Sequence, residues 1–400
     1  MQGLLMSNHN SSALPVGVIF SQTGVTANTE LSMLRASLLA IDRINRQGGV
    51  NGRLLSPICV DPQSIAENYG SLAQKLIIDH GVKLIFGGYT SSSRKAMLPV
   101  TGRHNVLLFY PTQYEGFEYA SNVIYTGAAP NQGCLQLAQY MLSNIGKRVW
   151  MVGSDYIWPR EINRIMRDLI VESNGEVLGE EFRPLETDEA SLFQVAKLIS
   201  EQKPDFVFAN FVGKSIQSFY QAMHELNAQN PIPIASLTTT ETEIQAMGFE
   251  AGLGHYTAAP YFQSINTPIN IELVKEYRSL YGEDQVTNMC WEAAYFQVHL
   301  AAKAAELANS FQPDAILEQI AKVQHLAPQG KVRIDTANNH CYLWSRIGRA
   351  NDKGQFDIVA TSKTALRPDP YLVSYSKSSA SSMQMIETNT FASPADKVSL

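Results

Sequence analysis

The 400-residue sequence is short of the features that announce most chemistries. Its four cysteines, Cys59, Cys134, Cys290 and Cys341, stand far apart and form no CxxC pair, which reads as separate buried thiols and not a disulfide or metal framework. Its eight histidines make no HExxH or other paired spacing, so no metal site is expected and no cofactor is implied. There is no surplus of basic residues. The net charge of −6 argues against a nucleic-acid surface. No apolar run approaches the ~18 residues of a membrane span. No P-loop, GxSxG elbow or GxGxxG after a strand appears, and the glycines at 48–52 fall at a helix end. The first thirteen residues, MQGLLMSNHNSSA, carry no Lys or Arg and only a short apolar stretch, unlike a secretory signal. The chain as written is therefore expected to be cytoplasmic, with a periplasmic location as the alternative if a signal sequence precedes it.

What is present is a rhythm. Apolar runs at 15–20, 54–60, 82–86 and 106–110 alternate with helical patterns, the first carrying Leu31, Leu34, Leu38 and Ile41 three and four apart. The alternation resumes with runs at 148–153, 177–182, 205–210 and 232–236. Strands separated by helices of this length form βαβ units and parallel sheets. The fold class expected is α/β, with two doubly wound lobes joined by a hinge. Residues 13–126 plus about 261–333 would form the N-terminal lobe, and 127–260 plus about 334–375 the C-terminal lobe. Short antiparallel strands are expected at 331–334, 341–347 and 357–360, and a disordered or docking tail at 376–400.

Ligands of such sheets sit beyond the carboxyl ends of the strands, at the helix starts. The loop GGYTSSSRK (87–95) offers glycines that let backbone approach a ligand and serines suited to capping the next helix. The loop YPTQYEGFEY (110–119) packs four aromatics into ten residues, and its Glu115 and Glu118 read as hinge packing with backbone hydrogen bonds before acid–base catalysts. In the second half, GSDYIWPRE (153–161) puts Tyr156 and Trp158 at a strand–helix junction, with Pro159 suited to the first helical position and Asp155 to a cap. SLTTTE (236–241) supplies neutral hydroxyls, with Thr240 as helix cap. Hydrolysis is hard to assemble here. No cysteine lies in these loops and no histidine stands beside Ser91 to activate it.

Taken together, SQTGVTA (21–27), SRKAMLPV (93–100), FYPTQYEGFEY (109–119), YTGAAPNQ (125–132), GSDYIWPRE (153–161), IASLTTTE (234–241) and RPDPY (367–371) resemble the amide- and urea-binding branch of the type I periplasmic-binding-protein family. Within that branch they look more like the cytoplasmic amide sensors that regulate amidase expression than like the urea-binding components of ABC transporters. The resemblance implies a non-enzymatic protein that hinges closed on a small neutral amide or urea. It also implies an antitermination factor as protein partner, and a homodimer is an open alternative. Ser91 and Thr112 would hydrogen-bond the ligand, Tyr89, Tyr110, Tyr156 and Trp158 would wall it, and Thr238 would reach in from the second lobe. Trp158 stands where the regulators have tyrosine, and Thr90 and Gln113 also differ from them, which leaves urea against acetamide open. Binding of an amino acid, with Asp155 or Glu241 holding its ammonium, and an amidase are the rival readings.

Overall fold

The computed structural model describes residues 13–373 and 385–387. Two eight-stranded mixed sheets carry the fold. The first begins with β1 (Leu14–Ile19), β2 (Leu55–Val60), β3 (Leu84–Gly87), β4 (Leu107–Tyr110) and β5 (Val123–Tyr125), which pair in parallel in the order β5-β4-β3-β1-β2. Helices α1 (Ala27–Arg46), α2 (Ala66–His80) and α3 (Ser91–Arg103) connect them. The second sheet follows, with helices α4 (Cys134–Asn144), α5 (Ile157–Glu172), α6 (Glu189–Gln202), α7 (Lys214–Asn227), α8 (Glu241–Met247) and α9 (Phe249–Gly252) among its strands. Those strands are β6 (Arg148–Ser154), β7 (Glu176–Arg183), β8 (Phe206–Asn210), β9 (Ile234–Ser236) and β10 (Tyr256–Ala259), in the order β10-β9-β8-β6-β7.

The chain then returns to the first lobe through α10 (Pro268–Tyr281), α11 (Met289–Ala308) and α12 (Pro313–Ile320), and adds β11 (Gln324–Ala327), β12 (Gly330–Asp335) and β13 (His340–Tyr342) to the first sheet. Last come β14 (Arg346–Ala350), β15 (Phe356–Ser362) and β16 (Met385–Glu387) on the second. The lobe boundary expected at 333/334 is thus displaced, because β12 runs straight through it and β13 pairs in parallel with β5 at His340 and Tyr125. The single strand expected at 341–347 is two strands, with the crossing between sheets at 343–345. Of the tail expected at 376–400, only Met385–Glu387 lies within the described residues, as an edge strand antiparallel to β15.

Burial explains the composition of the elements. β3, β4 and β8 are buried along their whole length and read as continuous apolar runs, as strands covered on both faces must. In α1 the buried stripe is wider than a single face, taking in Ala36, Ser37 and Ala40 beside Leu34 and Ile41, while Leu31 and Leu38 are only half-buried. The small residues admit α11, where the Ala294 carbonyl accepts the Ser37 hydroxyl. Helix α11 is apolar almost all round because it is buried on nearly every side. Three thiols are buried, whereas Cys59, on edge strand β2, is exposed, contrary to expectation.

The three crossings are tied to one another. Gln132 donates to the Cys341 and Leu366 carbonyls at 3.0 and 2.9 Å. Arg346 donates to the Pro260 carbonyl and, at 2.9 Å, to that of Gln329. The cleft between the lobes is closed. Thr29 of α1 donates to Glu243 of α8 at 2.7 Å, Asn288 at the start of α11 donates to Thr242 at 2.6 Å, and Gln113 donates to the Leu237 carbonyl at 3.0 Å. One apolar cluster runs unbroken from Phe20 and Tyr89 in the first lobe to Val207 and Phe211 in the second.

Candidate ligand-binding site

The carboxyl ends of β3 and β4 face the closed cleft and set the first lobe's contribution. After β3 the backbone turns at Gly87 and Gly88, at φ 147° and 96°. A Cβ on Gly87 would lie 2.1 Å from the Ile19 carbonyl oxygen, so only glycine lets β3 close on β1 there. Helix α3 then starts with Thr90 as its N-cap residue, and Ser91 is its first helical residue. The Ser91 hydroxyl does not cap the helix. It donates to Glu115 Oε2 at 2.5 Å and receives Arg94 Nη1 at 3.3 Å.

Arg94 is the centre of this rim. It has no exposed surface, and its guanidinium pairs with Glu115 through Nη2 and with Glu118 through Nε, both at 2.8 Å. The same group lies over the rings of Tyr114, Tyr110 and Tyr125 at 4.6, 4.9 and 5.9 Å. Burial would raise the Glu118 carboxyl, but Arg94 and Lys95 outweigh it and hold the group below its ordinary value. The role expected for Glu115 and Glu118, packing with backbone bonds, is therefore corrected. They neutralise a buried arginine.

Of the four expected wall residues, Tyr110, Tyr156 and Tyr89 lie toward this cluster. Tyr110 is fully buried, with its hydroxyl beside Ser91 and Arg94 but with no aligned hydrogen-bond partner among the described residues. Tyr156 is half-buried and lies within electrostatic range of Tyr110 and Glu115, and Tyr89 within range of Tyr156. Burial lifts all three phenols above their ordinary range, so they stay neutral donors. Thr112 is buried and donates to the Gly88 carbonyl at 2.9 Å. From the second lobe, Thr238 donates to the Phe211 carbonyl at 2.8 Å and lies 3.2 Å from Ser236 Oγ.

Trp158 sits elsewhere. Helix α5 begins at Ile157, so Trp158 and Pro159 fall in its first turn, with Pro159 third and not first. The indole is 2% exposed and packs in the second lobe's apolar core near Cys134, Ile162 and Leu237. It borders a small void shared with Gln113, Tyr114 and Met289, whose lining includes none of Tyr89, Ser91, Tyr110 or Tyr156. Asp155 does not cap α5. It is exposed and pairs with Arg160 at 2.7 Å. Thr240 is the N-cap residue of α8, and its backbone N–H and hydroxyl both donate to Glu243, at 2.9 and 2.5 Å. Glu241 is buried, accepts from the Gln263 backbone N–H at 2.7 Å, and is pushed up to about 8, chiefly by burial.

Sequence reasoning did not assign Arg94 or Glu243. The signal for Arg94 was an arginine three residues after Ser91, facing a loop with two glutamates three apart. The signal for Glu243 was weaker, a glutamate in the capping-box position after Thr240.

Comparison with known proteins defines the class. The family described as periplasmic binding protein domain matches residues 14–377, and the chain belongs to it. Leu/Ile/Val-binding protein homolog 6 of Brucella suis is 24% identical over 287 residues, which cover 70% of this chain and 73% of that protein. Limonene hydroxylase of Geobacillus stearothermophilus is 30% identical over 139 residues, but the match spans only 25% of its length and 35% of this chain. Among solved structures, an ABC-transporter solute-binding protein of Rhodopseudomonas palustris in complex with 4-hydroxybenzoate superimposes with a TM-score of 0.80 at 20% identity, covering 91% of this chain and all of that one. A branched-chain amino acid transporter substrate-binding protein of Streptococcus pneumoniae, in complex with isoleucine, gives 0.74 at 17% identity, covering 89% and 100%. The chain is thus a two-lobed ligand-binding protein of the type I periplasmic-binding fold. Among the described residues no helix is long and apolar enough to cross a membrane.

Proposed function

We propose that this protein binds urea or a short aliphatic amide between its lobes and relays the open–closed change to a protein partner, without turning the ligand over. The observation that carries the ligand class is charge cancellation at the rim. Arg94 is fully engaged by Glu115 and Glu118, and what remains around Ser91 and Tyr110 is neutral hydroxyl. A benzoate or an amino acid presents only acceptors at its carboxylate, whereas the hydroxyl protons of Ser91, Thr112 and Thr238 are already given to protein acceptors, and an amino acid also needs an acid for its ammonium. Asp155 points to Arg160, and Glu241 serves the Gln263 backbone, so neither is offered to an ammonium.

A ligand of about four heavy atoms gains at most about −1.5 kcal/mol per atom, or about −6 kcal/mol, a dissociation constant of tens of micromolar. Part of that gain drives closure. The sequence phrases support regulation of amide-utilisation genes through an antitermination factor, in the cytoplasm. The second reading is a substrate-binding component of a urea or short-amide ABC transporter, favoured by the binding proteins among the relatives and the transporter solute-binding proteins among the structural neighbours. Isothermal titration of the dialysed chain with acetamide, urea, leucine and 4-hydroxybenzoate, with ammonia assayed in the same samples, tests the ligand class. Binding of acetamide or urea without ammonia release is the expected result. Binding of leucine or 4-hydroxybenzoate alone would refute it.

A further inference from the structure

We infer that Glu115 and Arg94 are positioning residues that fix the polarity of the Ser91 hydroxyl, so that the site selects ligands presenting N–H groups and rejects carboxylates and esters of the same shape. The inference rests on the amide reading above and sharpens it from a neutral ligand to a hydrogen-bond donor pattern.

The argument is an inventory of protons. A serine or threonine hydroxyl carries one proton and two lone pairs. The proton of Ser91 goes to Glu115 Oε2 at 2.5 Å, that of Thr112 to the Gly88 carbonyl at 2.9 Å, and that of Thr238 to the Phe211 carbonyl at 2.8 Å. A ligand meeting these three groups meets oxygen lone pairs, not donors. A primary amide answers with two N–H bonds and urea with four. A carboxylate answers with lone pairs of its own, next to the negative Glu115. The ligand carbonyl then requires a donor, and the buried Tyr110 hydroxyl is a donor without an aligned acceptor among the described residues.

Nothing about Ser91 alone sets this direction, since a hydroxyl rotates to suit its neighbours. Glu115 sets it by accepting the Ser91 proton through Oε2, and Arg94 holds Glu115 in place through Oε1 at 2.8 Å. Arg94 is itself fixed by Glu118 and by three tyrosine rings. Sites built around a defined donor or acceptor reject analogues that leave it unpaired far more strongly than sites that read only shape. The expected discrimination is therefore large.

The test uses isosteric pairs on the full chain, read by titration calorimetry. Acetamide is compared with acetate, and N-methylacetamide with methyl acetate, in the unmodified protein and in Glu115→Gln. The glutamine keeps the shape, leaves Arg94 its Glu118 partner, and can donate its own proton to Ser91. In the unmodified protein the N–H member of each pair is expected to bind at least tenfold more tightly. In Glu115→Gln the acetamide-to-acetate ratio is expected to fall by at least tenfold, while the melting temperature confirms a folded chain. Equal binding within both isosteric pairs would overturn the polarity assignment and leave the amide reading standing. So would a Glu115→Gln chain that binds every ligand more weakly at an unchanged ratio. If neither acetamide nor urea binds the unmodified protein, the amide reading itself fails and this inference with it. Should Glu115→Gln not fold, the two pairs in the unmodified protein still decide.

Discussion

The two lobes bring buried acids to the cleft in opposite ways. At the first lobe's rim, Glu115 and Glu118 share one buried guanidinium, and Glu118 is held below its ordinary range. In the second lobe, Glu241 and Glu243 of α8 are as buried as Glu115 and more so than Glu118, but the partners the structure gives them are hydroxyls and backbone N–H groups. Glu243 receives Thr240 and, across the cleft, Thr29, while Glu241 receives Gln263. Both are raised, chiefly by burial. A cation keeps a buried carboxylate ionised and oriented, whereas hydroxyls and amides satisfy its geometry without fully compensating its lost hydration. The first rim is thus a charge-paired template, and the second is a latch, tied across the cleft by Glu243 and Thr29, whose carboxyls burial raises.

The largest expected effect comes from breaking the template at its centre. Arg94→Met keeps volume against the three tyrosine rings but strands the buried Glu115 carboxylate, while Glu118 keeps Lys95 at 2.8 Å. Removing one partner of a buried ion pair costs about 3–5 kcal/mol. Calorimetric unfolding without ligand should give a melting temperature well below that of the parent chain. An unchanged midpoint would mean that water already reaches the cluster. Ser91→Ala acts on the ligand side of the same network and should weaken acetamide or urea binding by ~1–2 kcal/mol through a lost hydrogen bond. Unchanged affinity would move the pocket away from Ser91.

The contrast also marks how far the sequence could be read. The alternating apolar runs gave away both sheets, because strands covered on two faces must be apolar throughout. The strand-end loops followed from where ligands sit in such sheets. What escaped was what depends on pairing across distance. The sheet change at 343–345 lies within an apolar stretch that reads locally as one strand, and only the partners, β12 on one side and β15 on the other, separate it into two. Ser91 was legible as a serine at a helix start beyond a strand end but not as a donor to Glu115, 24 positions away. Trp158 was legible as an aromatic at a helix start. Which way it faces depends on the first turn beginning at Ile157, so the indole enters the core with Ile162 and Leu237.

The latch supplies a test that the template should not pass. Glu241 has an ordinary value of 4.5 and is pushed up to about 8 in the folded chain. Between those limits the folded protein holds a proton that the unfolded chain has released, so this group's contribution is fully present below about 4.5 and is lost as pH rises through about 8. Its slope is at most ~1.4 kcal/mol per pH unit. Glu241→Gln should therefore gain stability on the parent chain as pH rises from 5 to 8, read from unfolding midpoints at each pH. A constant difference across that range would show that Glu241 is ionised in the folded as well as the unfolded parent chain and that the latch is compensated like the rim.

The smallest expected effect lies just outside the cleft and completes the contrast. Asp155 and Arg160 form an ion pair at 2.7 Å with side chains 45% and 53% exposed, where solvent screens the interaction. Exposed pairs of this kind contribute ~0–1 kcal/mol. Asp155→Asn should shift the melting temperature only slightly and leave acetamide and urea affinity unchanged, because the charge is spent on Arg160 and not on the cleft. A marked loss of leucine binding in this variant, with amide binding unaffected, would reverse the assignment. It would show Asp155 turning inward on a ligand ammonium, and the site would then be one that reads amino acids with an acid from the second lobe.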